Sequence, residues 1–173
     1  MAPASLFSAW HGFFALLGAA AATLIGAMFV VVSIGMGILS PDRSLAIRTF
    51  LTGTVLHLST VLLGSALTMV PGLDMAVLAV LAALAGIAGV IFSARAMWGF
   101  DQHPGTDRSD WYWYVLLPLV AYAALLAVAG LAWRGMAASV DLLAAVLAVL
   151  LAAGIRNAWD MIVFFVTRSR DST

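Results

Sequence analysis

Four ionisable or amide side chains stand where the chain otherwise reads as hydrocarbon: His57, Arg156, Asn157 and Asp160. Arg156 and Asp160 are spaced i, i+4, so one helix face can hold them as an ion pair. Asn157 sits beside them with two donors and an acceptor. His57 can carry a proton near neutral pH, and a carboxylate at its level could exchange one with it. Tyr122, one turn after Pro118, adds a hydroxyl, and the proline can free a carbonyl for another donor. Together these types form a polar centre that could relay protons, attract an ion, or lock helices together.

The elements that hold this centre must be membrane helices. Hydrophobic residues make up 64% of the 173 positions and charged residues 9%, where soluble domains carry roughly 25% charged. Mean hydropathy is +1.10. Apolar runs of about 18 residues or more recur, long enough to cross a bilayer's hydrocarbon. The reading is an all-α membrane protein, a helical bundle of five transmembrane helices in a single domain, 1–173. The spans cover about 8–39, 48–70, 75–98, 111–133 and 141–166, with a polar loop at 99–110. Breaks fall at Ser40-Pro41-Asp42 and Pro71-Gly72, where proline cannot continue a helix. The start, MAPASLFSAW, has no Lys or Arg, so it does not read as a signal peptide, and the first apolar run stays as a helix.

Loop arginines set the orientation. Arg43, Arg48, Arg95, Arg108, Arg168 and Arg170 share one side, and Arg134 stands on the other. The positive-inside rule puts the N-terminus outside and the C-terminus in the cytoplasm. The block WYWY at 111–114 and Trp98 read as the inner aromatic belt, with Trp10 and Trp133 as the outer one.

Depth then groups the polar residues. Leu142 to Ile155 alone is too short to span, so the last helix is expected to run on to Arg168. That sets Asp160 about 12 Å and Arg156 about 18 Å above the inner end, at 1.5 Å per residue. His57 falls at about 13 Å counted from Arg48, and Tyr122 at about 16 Å counted from Trp111. One polar layer of His57, Tyr122, Arg156, Asn157 and Asp160 is expected in the cytoplasmic half. Trp159, too deep for the belt, is expected to pack inside. On the second span Thr49, Gly53, His57, Thr60, Gly64 and Thr68 share one face. Thr49, Thr60 and Thr68 support the centre, although membrane threonines often bond their own helix carbonyls. Small-residue stripes, Gly18, Ala22 and Gly26 in the first span and Ala82, Gly86, Gly89 and Ser93 in the third, permit close helix packing.

Several functions are excluded or disfavoured. All basic residues are Arg, all acidic ones Asp, and Cys is absent. A Schiff-base lysine and a thiolate-held cluster are therefore ruled out. No basic patch suits nucleic acid. No H-E-x-x-H motif or matched aspartate pair points to an intramembrane hydrolase. Asp101, His103, Asp107 and Asp110 in the polar loop read as turn and cap chemistry rather than a metal site. No cofactor is expected.

The blocks GAAAATLIGAMFVVVSIG and GIRNAWDMIVFF resemble those of a family of small bacterial five-helix integral membrane proteins. The resemblance implies a bacterial inner-membrane location and the five-span layout, and it brings no activity with it. The functional expectation is a channel-like or transport-like homo-oligomer for protons or small ions, in contact with membrane lipid. The alternative is a structural or accessory subunit of a larger membrane complex, its polar cluster a packing lock.

Overall fold

A computed structural model describes the chain at residues 3–35, 44–100 and 111–170, with side chains described for 7–33, 52–97, 111–160, 162 and 163. The described residues form helices joined by short turns, with no strand. Helix α1 covers Pro3–Gly35, α2 Ser44–Thr68, α3 Met75–Phe100, α4 Leu117–Trp133 and α5 Ala138–Arg170. A wide turn, Tyr112–Leu116, leads directly into α4.

The turns follow from their residues. Met69 and Val70, expected to be helical, leave α2 in a tight turn. There Pro71 supplies the second position and Gly72 the positive φ of 70° at the third, with Leu73 N–H closing on Val70 C=O. Asp74 then caps α3 by accepting the Ala76 N–H at 2.9 Å. At the end of α4, Gly135 takes φ 66°. Its N–H bonds Ala132 C=O while Met136 N–H reaches Leu131 C=O, the paired bonds of a Schellman cap. The turn that follows is short enough for α5 to begin at Ala138, ahead of the expected Asp141.

Pro118 lacks an N–H, and its ring crowds the carbonyl four residues back, that of Tyr114. The chain answers by widening the turn: Leu117 N–H bonds Tyr112 C=O, five residues back.

Four helices are long and apolar enough to cross a membrane: Phe7–Ser33, Met75–Met97, Tyr112–Trp133 and Ala138–Asp160. In α2 the corresponding stretch, Thr52–Thr68, is shorter. Four such helices suggest a membrane protein.

Helix α5 is the hub, packing against α1, α2 and α4. Helix α2 lies against α1 and α5, and α3 lies mainly along α4. Small residues set the closest approaches. A Cβ on Gly154 of α5 would stand 2.6 Å from Leu58 of α2. A Cβ on Gly89 of α3 would stand 2.0 Å from the Tyr122 ring of α4. The expected stripe on α3 is thus a packing seam within the chain. The one on α1 divides: Gly18 faces Ser65 of α2, whereas Ala22 and Gly26 are exposed. Phe14, Leu58, Val61, Leu125, Leu147 and Leu150 fill the core between the helices.

Candidate functional site

Helix α2 carries most of the polarity inside the bundle. Thr54, His57, Ser65 and Thr68 are buried on it, joined by Ser93 of α3 and by Ser139 and Asn157 of α5. An N–H or hydroxyl sealed from water costs free energy unless bonded, so each of these groups calls for a partner.

At the centre, His57 and Tyr122 meet. His57 Nδ1 and the Tyr122 hydroxyl are 2.9 Å apart, with the residues 2% and 0% exposed. Thr60 Oγ1 donates to its own helix at Leu56 C=O, 2.8 Å, and lies 3.4 Å from the Tyr122 hydroxyl. The ring of Tyr122 fits because Gly89 has no side chain in its way. Sequence depth had set these two residues within one layer, and they pair.

The rest of the expected layer lies elsewhere. Arg156 Nε donates to Asp160 Oδ2 at 3.0 Å, the i, i+4 pair read from the sequence. Their side chains remain 39% and 32% exposed. The same Asp160 oxygen accepts the hydroxyl of Tyr114 at 2.5 Å. The Arg156 guanidinium stands 5.5 Å from the centre of the Trp113 ring, within reach of the ring's negative face. Tyr114 and Trp113 both belong to the wide turn that Pro118 imposes.

This corrects the depth argument. Tyr114 and Tyr122 are separated by eight positions of a helix, about 12 Å. Asp160 is therefore level with the start of α4, and His57 bonds Tyr122 rather than Asp160. The single layer becomes two clusters, one central and one at the end of the bundle. The count had taken Arg168 to mark the inner surface, whereas the level of Asp160 is set by how α5 packs along α4, at Tyr114. Trp159 is a second correction. Expected inside, it is 62% exposed, because it falls on the outward face shared with Ile155, Val149 and Ile162.

Asn157 is buried, and its Oδ1 has no hydrogen-bond partner. The same holds for Ser93 Oγ and Ser65 Oγ. Ser93 lies one turn from Gly89 on the α3 face that meets Tyr122, toward the Asp160 end. Ser65 lies on the other side of His57. Thr68 donates to Ser65 C=O at 2.7 Å, the local bonding expected of a membrane threonine. The side chain of Thr49 and the loop residues Asp101, His103, Asp107 and Asp110 lie outside the described residues. So do those of Trp98, Arg43, Arg48, Arg108, Arg168 and Arg170. Arg95 and Arg134 are exposed. Among the described residues no group of three or more His, Asp or Glu could hold a metal.

Trp113 and Tyr114, read from the sequence only as belt aromatics, and Ser65 were not foreseen as partners in these clusters. Tyr114 stands four positions before Pro118, the place where a proline distorts a helix, and that was its one signal. Ser65 follows Gly64 directly and shares the inward side of α2.

Where Thr68 ends α2, an open cleft of about 480 Å³ lies between the turn 69–73 and the first turns of α1, with Ser8 and His11 on its wall. The Trp10 indole N–H donates to Asp141 Oδ1 at 3.0 Å, tying α1 to α5 at the same end.

No family model, curated protein or solved structure matches the chain.

Proposed function

We propose that this chain is a five-span protein of the bacterial inner membrane that passes protons or small ions along the polar seam of α2. The observation that carries the reading is the set of buried oxygens without partners on both sides of the His57–Tyr122 pair. Such oxygens cost about 1–3 kcal/mol each, and natural proteins keep them chiefly where water or an ion meets them. Asn157 and Ser93 flank the pair toward the Arg156–Asp160 end, and Ser65 flanks it toward the cleft. Between Thr60 and Ser65 the seam narrows at Val61 and at Leu147, whose side chain lies 3.1 Å from the Cβ position of Gly64. That apolar neck is the closed point of the path.

Helix α2 is the fifth span in this reading. It continues as Ser44–Thr68, about 37 Å at 1.5 Å per residue, and it lies between α1 and α5. A helix sheltered by neighbours does not need the hydropathy of one bathed in lipid. The arginine asymmetry supports an outside N-terminus and a cytoplasmic C-terminus.

The reading is tested by ion and proton flux in proteoliposomes of purified protein, with His57→Ala and Asp160→Asn beside it. Flux that falls in His57→Ala at equal incorporation supports a path through the seam. Absence of flux at every pH and voltage, with His57→Ala merely less stable, rejects it. A second reading has its own support. The His57–Tyr122 bond is mutually satisfied and sealed, which suits a packing lock in an accessory subunit of a larger complex. That reading predicts a protein unstable in detergent without its partner.

A further inference from the structure

We propose that Asn157 holds a buried water site on the inner side of the His57–Tyr122 bond, and that this site passes protons and not metal ions. The second half deepens the proposed function and rests on it; the water site stands without it. Three observations carry the assignment.

The first is position. On α5, Gly154 packs on Leu58 of α2, and Ala158 clusters with the same leucine. Arg156 and Asp160 instead reach Trp113 and Tyr114 at the start of α4. At about 3.6 residues per turn, Asn157 lies between these two faces. Its side chain therefore enters the corner between α2 and α4. His57, the neighbour of Leu58, occupies that corner and bonds Tyr122 of α4. Asn157 stands about 4.5 Å along the axis from Gly154, a separation that bridging water spans.

The second is unmet hydrogen bonding. Asn157 is 7% exposed and its Oδ1 has no partner. His57 is 2% exposed and spends Nδ1 on Tyr122, which leaves Nε2 without a partner among the described residues. With the Tyr122 hydroxyl donating to Nδ1, the imidazole carries its hydrogen on Nε2. A water that accepts from Nε2 and donates to Asn157 Oδ1 then completes both groups. Buried waters serve in this way, bonding two to four polar groups that the protein leaves unsatisfied.

The third is the chemistry of the corner. Divalent metal ions take about six or more oxygens, carboxylates among them. Here the oxygens are the Asn157 amide and the hydroxyl of buried Thr54, both uncharged. The carboxylate one turn on, Asp160, is paired with Arg156, whose charge opposes a metal ion. Water asks for no counter-charge. A proton crosses such a site without any ion entering it, because the water gains one proton on one side as it releases another on the opposite side. His57 and Asp160 are the titratable groups at the two ends of this step.

The test is solid-state NMR on protein with nitrogen-labelled histidine in liposomes, reading magnetisation transfer from water to the ring nitrogens. His57→Gln identifies the His57 signals, and exposed His11 serves as the wet control. The expected result is a water contact at His57 Nε2 in the wild type. It should be lost in Asn157→Leu while the Nδ1 shift set by Tyr122 stays unchanged, which shows that the packing survives. Asn157→Met, with a more adaptable side chain, keeps the comparison open if Asn157→Leu fails to fold. A dry His57 in the wild type, or a water contact undiminished in Asn157→Leu, would overturn the site. The spectra need no flux, so a protein that conducts nothing but gives them as expected keeps the water site while the proposed function fails. Proton flux that falls in Asn157→Leu, without sodium or potassium flux in either protein, supports the second half. Proton flux undiminished in that variant would leave transport standing and overturn the site as its path. Metal-ion flux that depends on Asn157 would overturn the assignment to protons.

Discussion

His57 and Tyr122, 65 positions apart in the chain, share a buried 2.9 Å hydrogen bond that joins α2 to α4. With the longer contact from Thr60, it ties the α1–α2 pair to the α3–α4 pair without passing through α5. Removing one partner leaves the other sealed without a bond, and burial makes that expensive.

Tyr122→Phe is expected to lower stability by about 1–3 kcal/mol, the cost of a buried group left unsatisfied. Thr60→Ala should cost far less, since its hydroxyl is bonded mainly to its own helix. Thermal unfolding of both variants in the same detergent reads the difference. Equal effects would show that the hydroxyl of Tyr122 holds nothing that its ring does not.

Gly89→Ala should be strongly destabilising. The new methyl would stand 2.0 Å from the Tyr122 ring, which is braced by α2 and cannot swing aside cheaply. Overpacking of this kind costs about 1–3 kcal/mol. Gly130→Ala on α4 meets nothing within 4 Å and should be neutral or stabilising by up to about 1 kcal/mol through helix propensity. Unfolding curves that rank the two the other way would contradict the α3–α4 packing.

Asp160→Asn and Asp160→Ala should separate the two bonds of this carboxylate. The ion pair with Arg156 is partly exposed, so its loss alone should cost no more than about 1 kcal/mol. An asparagine oxygen can still accept from Tyr114, whereas alanine cannot. The alanine variant should therefore be the less stable, and Tyr114→Phe should abolish the difference between them. A double-mutant cycle on thermal stability gives the answer, with additivity as the result that breaks the claim.

Gly135→Ala should weaken the α4–α5 turn by about 1 kcal/mol or more, because φ is 66° there and an L side chain resists it. Gly26→Ala, in a helix with open space around it, serves as the control. Proteolysis at the turn would rise in the first variant and not in the second.

Much of this was legible in the sequence, for identifiable reasons. Helix existence followed from long apolar runs, and the α2–α3 turn from Pro71-Gly72. The Arg156–Asp160 pair followed from i, i+4 spacing, which is local. His57 and Tyr122 came together because a helix has a fixed rise and each could be counted from its own end. The same counting failed for Asp160, since it assumed where α5 meets the inner surface. A helix can project beyond the bilayer, so the distance from Arg168 carried no depth. Trp159 followed the same error. Tyr114 escaped because its bond depends on the widened turn before Pro118, a change in helix winding that residue spacing does not register. Ser65 was missed for another reason: it lies off the His57 stripe, on the side of α2 that meets Gly18 of α1, a contact between helices that spacing within one helix does not register.

The hub position of α5 bears on how the protein is made. A chain emerging from the ribosome delivers α1 and α2 as one hairpin, then α3 and α4 as another, and these two touch each other little. Until the fifth helix arrives, the polar side of α2 has no wall at Gly64 or Leu58, since Leu147 and Gly154 supply it. Translocation machinery must hold two unfinished hairpins, one with an uncovered histidine, for the time needed to synthesise α5. A chain truncated before Ala138 should therefore be caught by membrane quality-control proteases, even though four of its helices are already built.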